Sequence, residues 1–189
     1  MEVRGSILQS VAKFVRSKFG EDGWDHWLAK VTGTAREIYV GTIDPERWYP
    51  LKATLIEPTA NVAQLFYNWD LKKAAWDLGR FSADFKFKGA RKILVKIPSP
   101  NYYIRKGVEF LPSFYRPAKL NVEENREGFA RVRVTLFPDM DTTTQFRIAG
   151  WMQRGLELNG CKNVEVQITK ALTNFDPYSE YQVSWAMKR

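Results

Sequence analysis

Cysteine and histidine are all but missing from this sequence, which holds one of each, Cys161 and His26, in 189 residues. A single cysteine excludes an intrachain disulfide and argues against a secreted scaffold. One histidine and one cysteine cannot build a zinc finger or a His-rich metal centre. No run of about 18 apolar residues occurs, so no membrane-spanning helix is expected. The apolar stretch 7–19 is interrupted by Gln9, Lys13, Arg16 and Lys18, unlike an export signal. There is no Walker loop and no glycine fingerprint following a strand. The expectation is a cytoplasmic protein that is not an enzyme and has no catalytic residues.

Aromatic rings are plentiful, with 7 Trp, 8 Tyr and 12 Phe. Each buried ring removes a large apolar area from water, so the core is either dense or partly hollow around a guest. The formal charge is +8, and the basic excess lies before Ala118.

That first part reads as helical throughout. Ser6 is placed to cap a helix whose Ile7, Leu8, Val11, Phe14 and Val15 share a face, with Gly20 ending it. A short helix from Asp22 carries Trp24, Trp27 and Leu28. Thr34 and Glu37 have capping-box spacing for another. Helices over 51–57 and 59–68 flank a break or kink at Pro58, and Asp70 caps a further one through Leu78. Over 80–97, Ala83, Phe87, Ala90, Leu94 and Ile97 form an apolar stripe, with Lys88, Lys92 and Lys96 on another face. Ser99-Pro100 opens a helix carrying Ile104, Val108, Leu111 and Tyr115, bent or ended by Pro112.

After Pro117 the period changes to two. Residues 128–137 alternate, with 120–124 as a preceding partner. Asp141 caps a long helix with Ile148, Met152, Gly155, Leu156 and Asn159 on one side, stopped by Gly160. Val164, Val166 and Ile168 then face that helix from a strand that pairs, through a turn at 174–177, with Tyr181, Val183 and Trp185. The reading is β-β-α-β-β, an antiparallel sheet with one helix across it. The fold class is α/β (α+β), a single domain over 1–189 with a helical subregion 1–117 and a sheet subregion 118–189.

Few residues suggest chemistry. His26, in Trp24-Asp25-His26-Trp27, could be a base oriented by Asp25 or Asp22, or an axial heme ligand. Packing among tryptophans near the surface is the simpler reading, since no nucleophile or second ligand accompanies it. Cys161 reads as a buried, inert thiol, and Glu123, Glu124 and Glu127 as a solvated edge. The lysine stripe is the wet face of a helix, and no nucleic-acid partner is expected. Gly150 and Gly155, each costing about 1 kcal/mol inside a helix, point to close backbone approach to the sheet or to room for a guest.

This order of elements resembles that of the heme–nitric-oxide-binding (H-NOX) family, the 4-vinyl-reductase-like domains and the TRAPP-type subunits. More closely, the chain resembles a bacterial group, familiar from myxobacteria, labelled heme-NO-binding-like. The residues that carry this likeness are Arg36-Glu37-Ile38-Tyr39, Trp48-Tyr49-Pro50, Gly79-Arg80-Phe81-Ser82-Ala83-Asp84, Tyr115-Arg116-Pro117, Ala149-Gly150-Trp151-Met152 and Gly160-Cys161-Lys162-Asn163-Val164-Glu165-Val166. The family's ligation chemistry does not carry over. H-NOX proteins hold heme through a histidine on the helix before the sheet, and residues 100–115 contain none. The propionate-binding Tyr-x-Ser-x-Arg motif is also missing, its place reading Phe129-Ala130-Arg131-Val132-Arg133. Tyr103 or Tyr115 could in principle ligate iron.

What the resemblance implies is a non-enzymatic sensor with an apolar guest between helices and sheet. The expected guest is a hydrophobic small molecule such as a lipid or hydrocarbon, lined by Phe66, Phe81, Phe85, Val108, Leu111 and Tyr115. No cofactor and no metal are expected. The alternatives are a heme-based NO or O2 sensor, and a scaffold that binds a signalling protein without a ligand.

Overall fold

The computed structural model describes residues 1–88 and 99–186. In chain order the elements are β1 (Glu2–Arg4), α1 (Gly5–Lys30), α2 (Gly33–Val40) and β2 (Trp48–Pro50). A π-helical turn (Lys52–Ile56) runs into α3 (Glu57–Phe66), followed by α4 (Leu71–Lys88) and α5 (Pro100–Phe114). Then come β3 (Tyr115–Arg116), β4 (Lys119–Arg126), β5 (Phe129–Thr135), α6 (Thr142–Leu158), β6 (Lys162–Lys170) and β7 (Ser179–Ala186). The structure is mixed helix and antiparallel sheet.

The first part is not helical throughout. Three short strands form a sheet in the order β2-β1-β3, with Val3 between Tyr49 and Tyr115. Strands this short have too few residues to show alternation, and their pairing is set by distant segments. Helix α1 buries Ile7, Leu8, Val11, Phe14 and Val15 as its apolar spacing requires. Its N-cap position is Arg4 rather than Ser6. At Gly20 the backbone takes φ 75, which glycine alone reaches without penalty, and the helix resumes beyond it. Thr32, not Thr34, occupies the N-cap of α2, so the Thr34–Glu37 box does not form. Pro58 does not separate two helices; it sits in the first turn of α3, directly after the π-helical turn, whose Glu57 amide bonds back to the Lys52 carbonyl.

The two helices expected around Gly79 are one, α4, with Asp70 accepting from the Lys73 amide at 2.9 Å at its start. The rest of the expected 80–97 helix, with Ala90, Leu94, Ile97, Lys92 and Lys96, lies outside the described residues, as does the side chain of Lys88. Helix α5 continues two residues past Pro112.

The larger sheet has the order β4-β5-β7-β6, antiparallel at every pairing. Glu165 pairs with Ser184, Val166 with Val183 and Ile168 with Tyr181, so the expected hairpin forms in register. Its connection is longer than a tight turn at 174–177: a 3₁₀ turn (Leu172–Asn174) leads to Phe175 at φ 63, and Asp176 accepts from the Ala171 amide at 2.8 Å. Helix α6 lies across the sheet. A capping box starts it, with the Thr144 amide donating to Asp141 at 2.9 Å and the Asp141 amide to Thr144 Oγ1 at 3.1 Å.

Helices α4 and α6 touch backbone to backbone. A Cβ on Gly79 would sit 2.1 Å from the Arg147 carbonyl oxygen, and one on Gly150 would sit 2.2 Å from that of Trp76. Only glycine allows this approach, and Gly150 therefore faces α4 rather than the sheet. Ion pairs extend the same seam: Arg80 to Glu157 at 2.8 Å and Arg154 to Asp84 at 3.0 Å.

Candidate functional site

A cavity of about 50 Å³ lies where α5 and α6 meet the larger sheet. Helix α5 is fixed by its cap, the Tyr102 amide donating to Ser99 Oγ at 3.1 Å. Its spacing turns Tyr103, Gly107, Phe110, Leu111 and Phe114 to the cavity. Helix α6 supplies Arg147, Ile148, Trp151 and Met152, and the sheet closes the space with Leu120 and Val132. Ile7 of α1, Ser82 of α4 and Tyr115 of β3 complete it. The rings pack on one another: Tyr103 stacks on Trp151 at 5.7 Å and 24°, and Phe110 meets Trp151 edge-on at 5.7 Å and 72°. A second space of about 210 Å³ shares Ile7, Ser82, Phe114 and Trp151 with the first and reaches Phe85 and Lys86.

Two features stand out against this apolar wall. Arg147 is 1% exposed, yet no acidic group pairs with it among the described residues. Its Nη2 donates to Ser10 Oγ at 3.1 Å and to Ser82 Oγ, while Nε and Nη1 have no acceptor. The Tyr115 phenol lies within loose hydrogen-bonding reach of the guanidinium, short of satisfying those two nitrogens, and the Tyr39 phenol is near enough to feel its charge. Burial lowers the Arg147 pKa from its ordinary value, and the tyrosines partly oppose this. The second feature is Tyr103, whose buried hydroxyl also lacks a partner among the described residues. That oxygen lies against Gly155, where a Cβ would be 1.7 Å away, and burial pushes its pKa well above the ordinary 10.0.

The six residues expected to line a pocket are not gathered together. Leu111 and Tyr115 line the cavity, and Phe85, 37% exposed, borders the second space. Phe66 stacks on Phe19 at 3.9 Å, Phe81 meets Phe14 at 5.3 Å, and neither lines either space. Val108 is 43% exposed, on the outer side of α5. Gly155 holds Tyr103 rather than room for a guest.

His26 is exposed on α1 and does not line the cavity, whereas Cys161 is buried. The glutamates of β4 are held in ion pairs, Arg133 to Glu123 at 3.1 Å and Arg126 to Glu124 at 2.8 Å. Sequence reasoning missed Arg147, Ser10, Ser82 and Trp151. A signal for Arg147 exists, because it shares the stripe of Thr144, Ile148, Trp151 and Gly155 on α6, where a charge is out of place.

No protein-family profile matches the chain, and no curated protein matches it. Solved structures do. An H-NOX protein from S. oneidensis in the Fe(II)NO ligation state superposes with a TM-score of 0.75 at 12% identity, over 97% of this chain and 99% of that one. The Fe(II) unliganded H-NOX protein from K. algicida gives 0.71 at 11% identity, over 98% and 97%.

This chain has the H-NOX fold.

A third match, described as probing heme distortion in the H-NOX family, gives 0.70 at 13% identity, over 98% of this chain and 95% of that one. These matches overturn the expectation of a chain without a cofactor. The H-NOX structures on which it superposes end to end are described by iron ligation state or by heme. A missing histidine on α5 was insufficient ground for expecting none. Among the described residues no helix is long and apolar enough to cross a membrane.

Proposed function

We propose that this chain is a gas-sensing domain that holds heme in the cavity between α5, α6 and the larger sheet, and that it is not an enzyme. The observation that carries this reading is the end-to-end superposition on H-NOX structures described in Fe(II) and Fe(II)NO states.

The residues present fit such a group chemically. The open nitrogens of Arg147 suit a propionate, and ring-bearing walls suit a flat macrocycle. The Met152 sulfur and the Tyr103 hydroxyl are lining atoms of the kinds that ligate heme iron. Heme, when bound, supplies an iron that takes up a diatomic gas. The chain's own residues exclude water, anchor an acidic edge and present Nε and Nη1 of Arg147 as donors in a dry site. An apolar cavity of roughly 150 Å³ holds benzene, so 50 Å³ admits a macrocycle only when the rings of Tyr103, Phe110 and Trp151 turn aside.

Hemin titration tests this. The expected result is a Soret band saturating at one equivalent, whose reduced form shifts on exposure to NO. A Leu111→Trp variant, filling the cavity, should lose the band while keeping its far-UV circular dichroism. Titration without saturation would end the gas-sensor reading.

A second reading is favoured by the lining itself, which is apolar and holds neither histidine nor cysteine. Here the guest is a hydrophobic small molecule, and a thermal-shift screen of fatty acids, isoprenoids and aromatic hydrocarbons would detect it. A ligand at about 100 times its Kd stabilises the fold by roughly 2.7 kcal/mol.

A further inference from the structure

We propose that Arg147, Ser10 and Ser82 form a carboxylate-binding subsite for the acid group of an otherwise apolar ligand. It rests on the reading that the helix–sheet seam holds a ligand, and adds which chemical group is recognised and where.

The argument begins with what a guanidinium requires. It presents five N–H donors in a fixed fork and cannot shed its charge in a protein. Here the two serines take up Nη2, the nitrogen that both bidentate edges share, and Nε and Nη1 each keep a donor open to a single carboxylate oxygen. A buried charge without a partner is among the costliest arrangements in a folded chain. The sequence outside the described residues brings no Asp or Glu side chain to neutralise it.

The serines are themselves positioned. Ser10 Oγ donates to the Ile7 carbonyl at 2.6 Å and Ser82 Oγ to that of Leu78 at 2.8 Å, and the two hydroxyls lie 2.8 Å apart. Their lone pairs therefore face Nη2 and hold the guanidinium plane still. Three helices, α1, α4 and α6, fix the group, which is how single binding donors are preorganised.

The surroundings select the rest of the ligand. Beyond Arg147 the cavity wall is Ile148, Met152, Leu111 and Val132, so a fully polar anion would leave its other oxygens dry and unpaired. An acid on an apolar body satisfies both parts. The second space shares Ser82 with the cavity and ends at the exposed side chains of Phe85 and Lys86, whose ammonium favours the approach of an anion. Two sources have this chemistry, a fatty acid and the propionate edge of heme.

The test compares acids with their uncharged counterparts on the full chain. Decanoate, decanol and acetate are scored by thermal shift, and hemin and its dimethyl ester by titration. Decanoate should bind roughly 10- to 100-fold more tightly than decanol, acetate should not register, and hemin should exceed its diester similarly. Arg147→Met, which replaces the cation with an apolar chain of similar length, should abolish both preferences. Should that variant fail to fold, ¹³C-carboxyl decanoate on wild type decides, because a carboxylate held by a guanidinium stays ionised below its free pKa.

Equal binding of acid and alcohol, or a bound carboxyl titrating as in water, would overturn the subsite. The gas-sensor reading fails separately: preference for decanoate without a saturating Soret band leaves the subsite standing alone. A Soret band equally strong with the diester, without decanoate preference, leaves only the sensor.

Discussion

Replacing Gly79 by alanine tests the contact that sets the distance between α4 and α6. The added methyl would lie 2.1 Å from the Arg147 carbonyl oxygen and 3.0 Å from the Trp151 amide, both backbone atoms that no rotamer change can move. Overpacking of this kind costs about 3 kcal/mol, while removing a helix-interior glycine returns about 1 kcal/mol. The net loss is about 2 kcal/mol, and for a chain this size the melting temperature should fall by roughly 4–8 °C. Gly107 supplies the control, since a Cβ there meets only Leu120 at 3.8 Å. Gly107→Ala should therefore melt about 1–4 °C higher than wild type. Gly79→Ala with Gly150→Ala should lose less than the sum of the two, because once the helices part for one methyl the second has room. Thermal unfolding followed by far-UV circular dichroism reads wild type, the three single variants and the double. If Gly79→Ala melts at or above wild type, the two backbones do not meet as described.

Three further outcomes follow from buried groups. Tyr103→Phe should not lower stability, because the hydroxyl it removes has no partner; a loss above about 1 kcal/mol in denaturant unfolding would contradict that. Burial pushes the Cys161 thiol up to about 11, so it should resist maleimide near neutral pH until the protein is unfolded, and rapid labelling of the native chain would refute the packing around it. For Glu157, burial alone would raise the pKa, but hydrogen bonds from Arg80 and Arg154 outweigh it and hold the carboxyl below its ordinary 4.5. A lowered folded pKa stabilises above the unfolded value, and that stability is lost as pH falls through the folded one. Glu157→Gln should thus flatten the stability profile below about pH 4.5, and an unchanged acid limb would refute the α4–α6 ion network.

The β-β-α-β-β half was legible because period-two alternation in Ala130, Val132 and Val134 and the caps at Ser99 and Asp141 are local signals. The sheet β2-β1-β3 was not, because three residues show no period and their partners lie far along the chain. Gly79 looked like a helix boundary because the close approach that requires it involves α6, some 70 residues later. The site was harder still. Phe66, Phe81 and Val108 were chosen for being apolar on helix faces, a criterion that cannot tell a core contact or an exposed side from a cavity wall. Arg147 escaped notice because arginine is read by default as solvent-facing. Its burial depends on Ser10 and Ser82, which only the folded chain brings together.

The small sheet also sets an order of events during synthesis. Its central strand, with Val3 fully buried, leaves the ribosome more than a hundred residues ahead of its partner Tyr115. At roughly 5–20 residues per second, β1 waits on the order of 6–20 s with one edge unpaired. Over that interval Val3 and the apolar face of α1 form a sticky nascent segment, suited to a chaperone that works at the exit tunnel. A slower codon tract upstream of Tyr115 should lengthen that exposure and lower the soluble yield without altering a single residue.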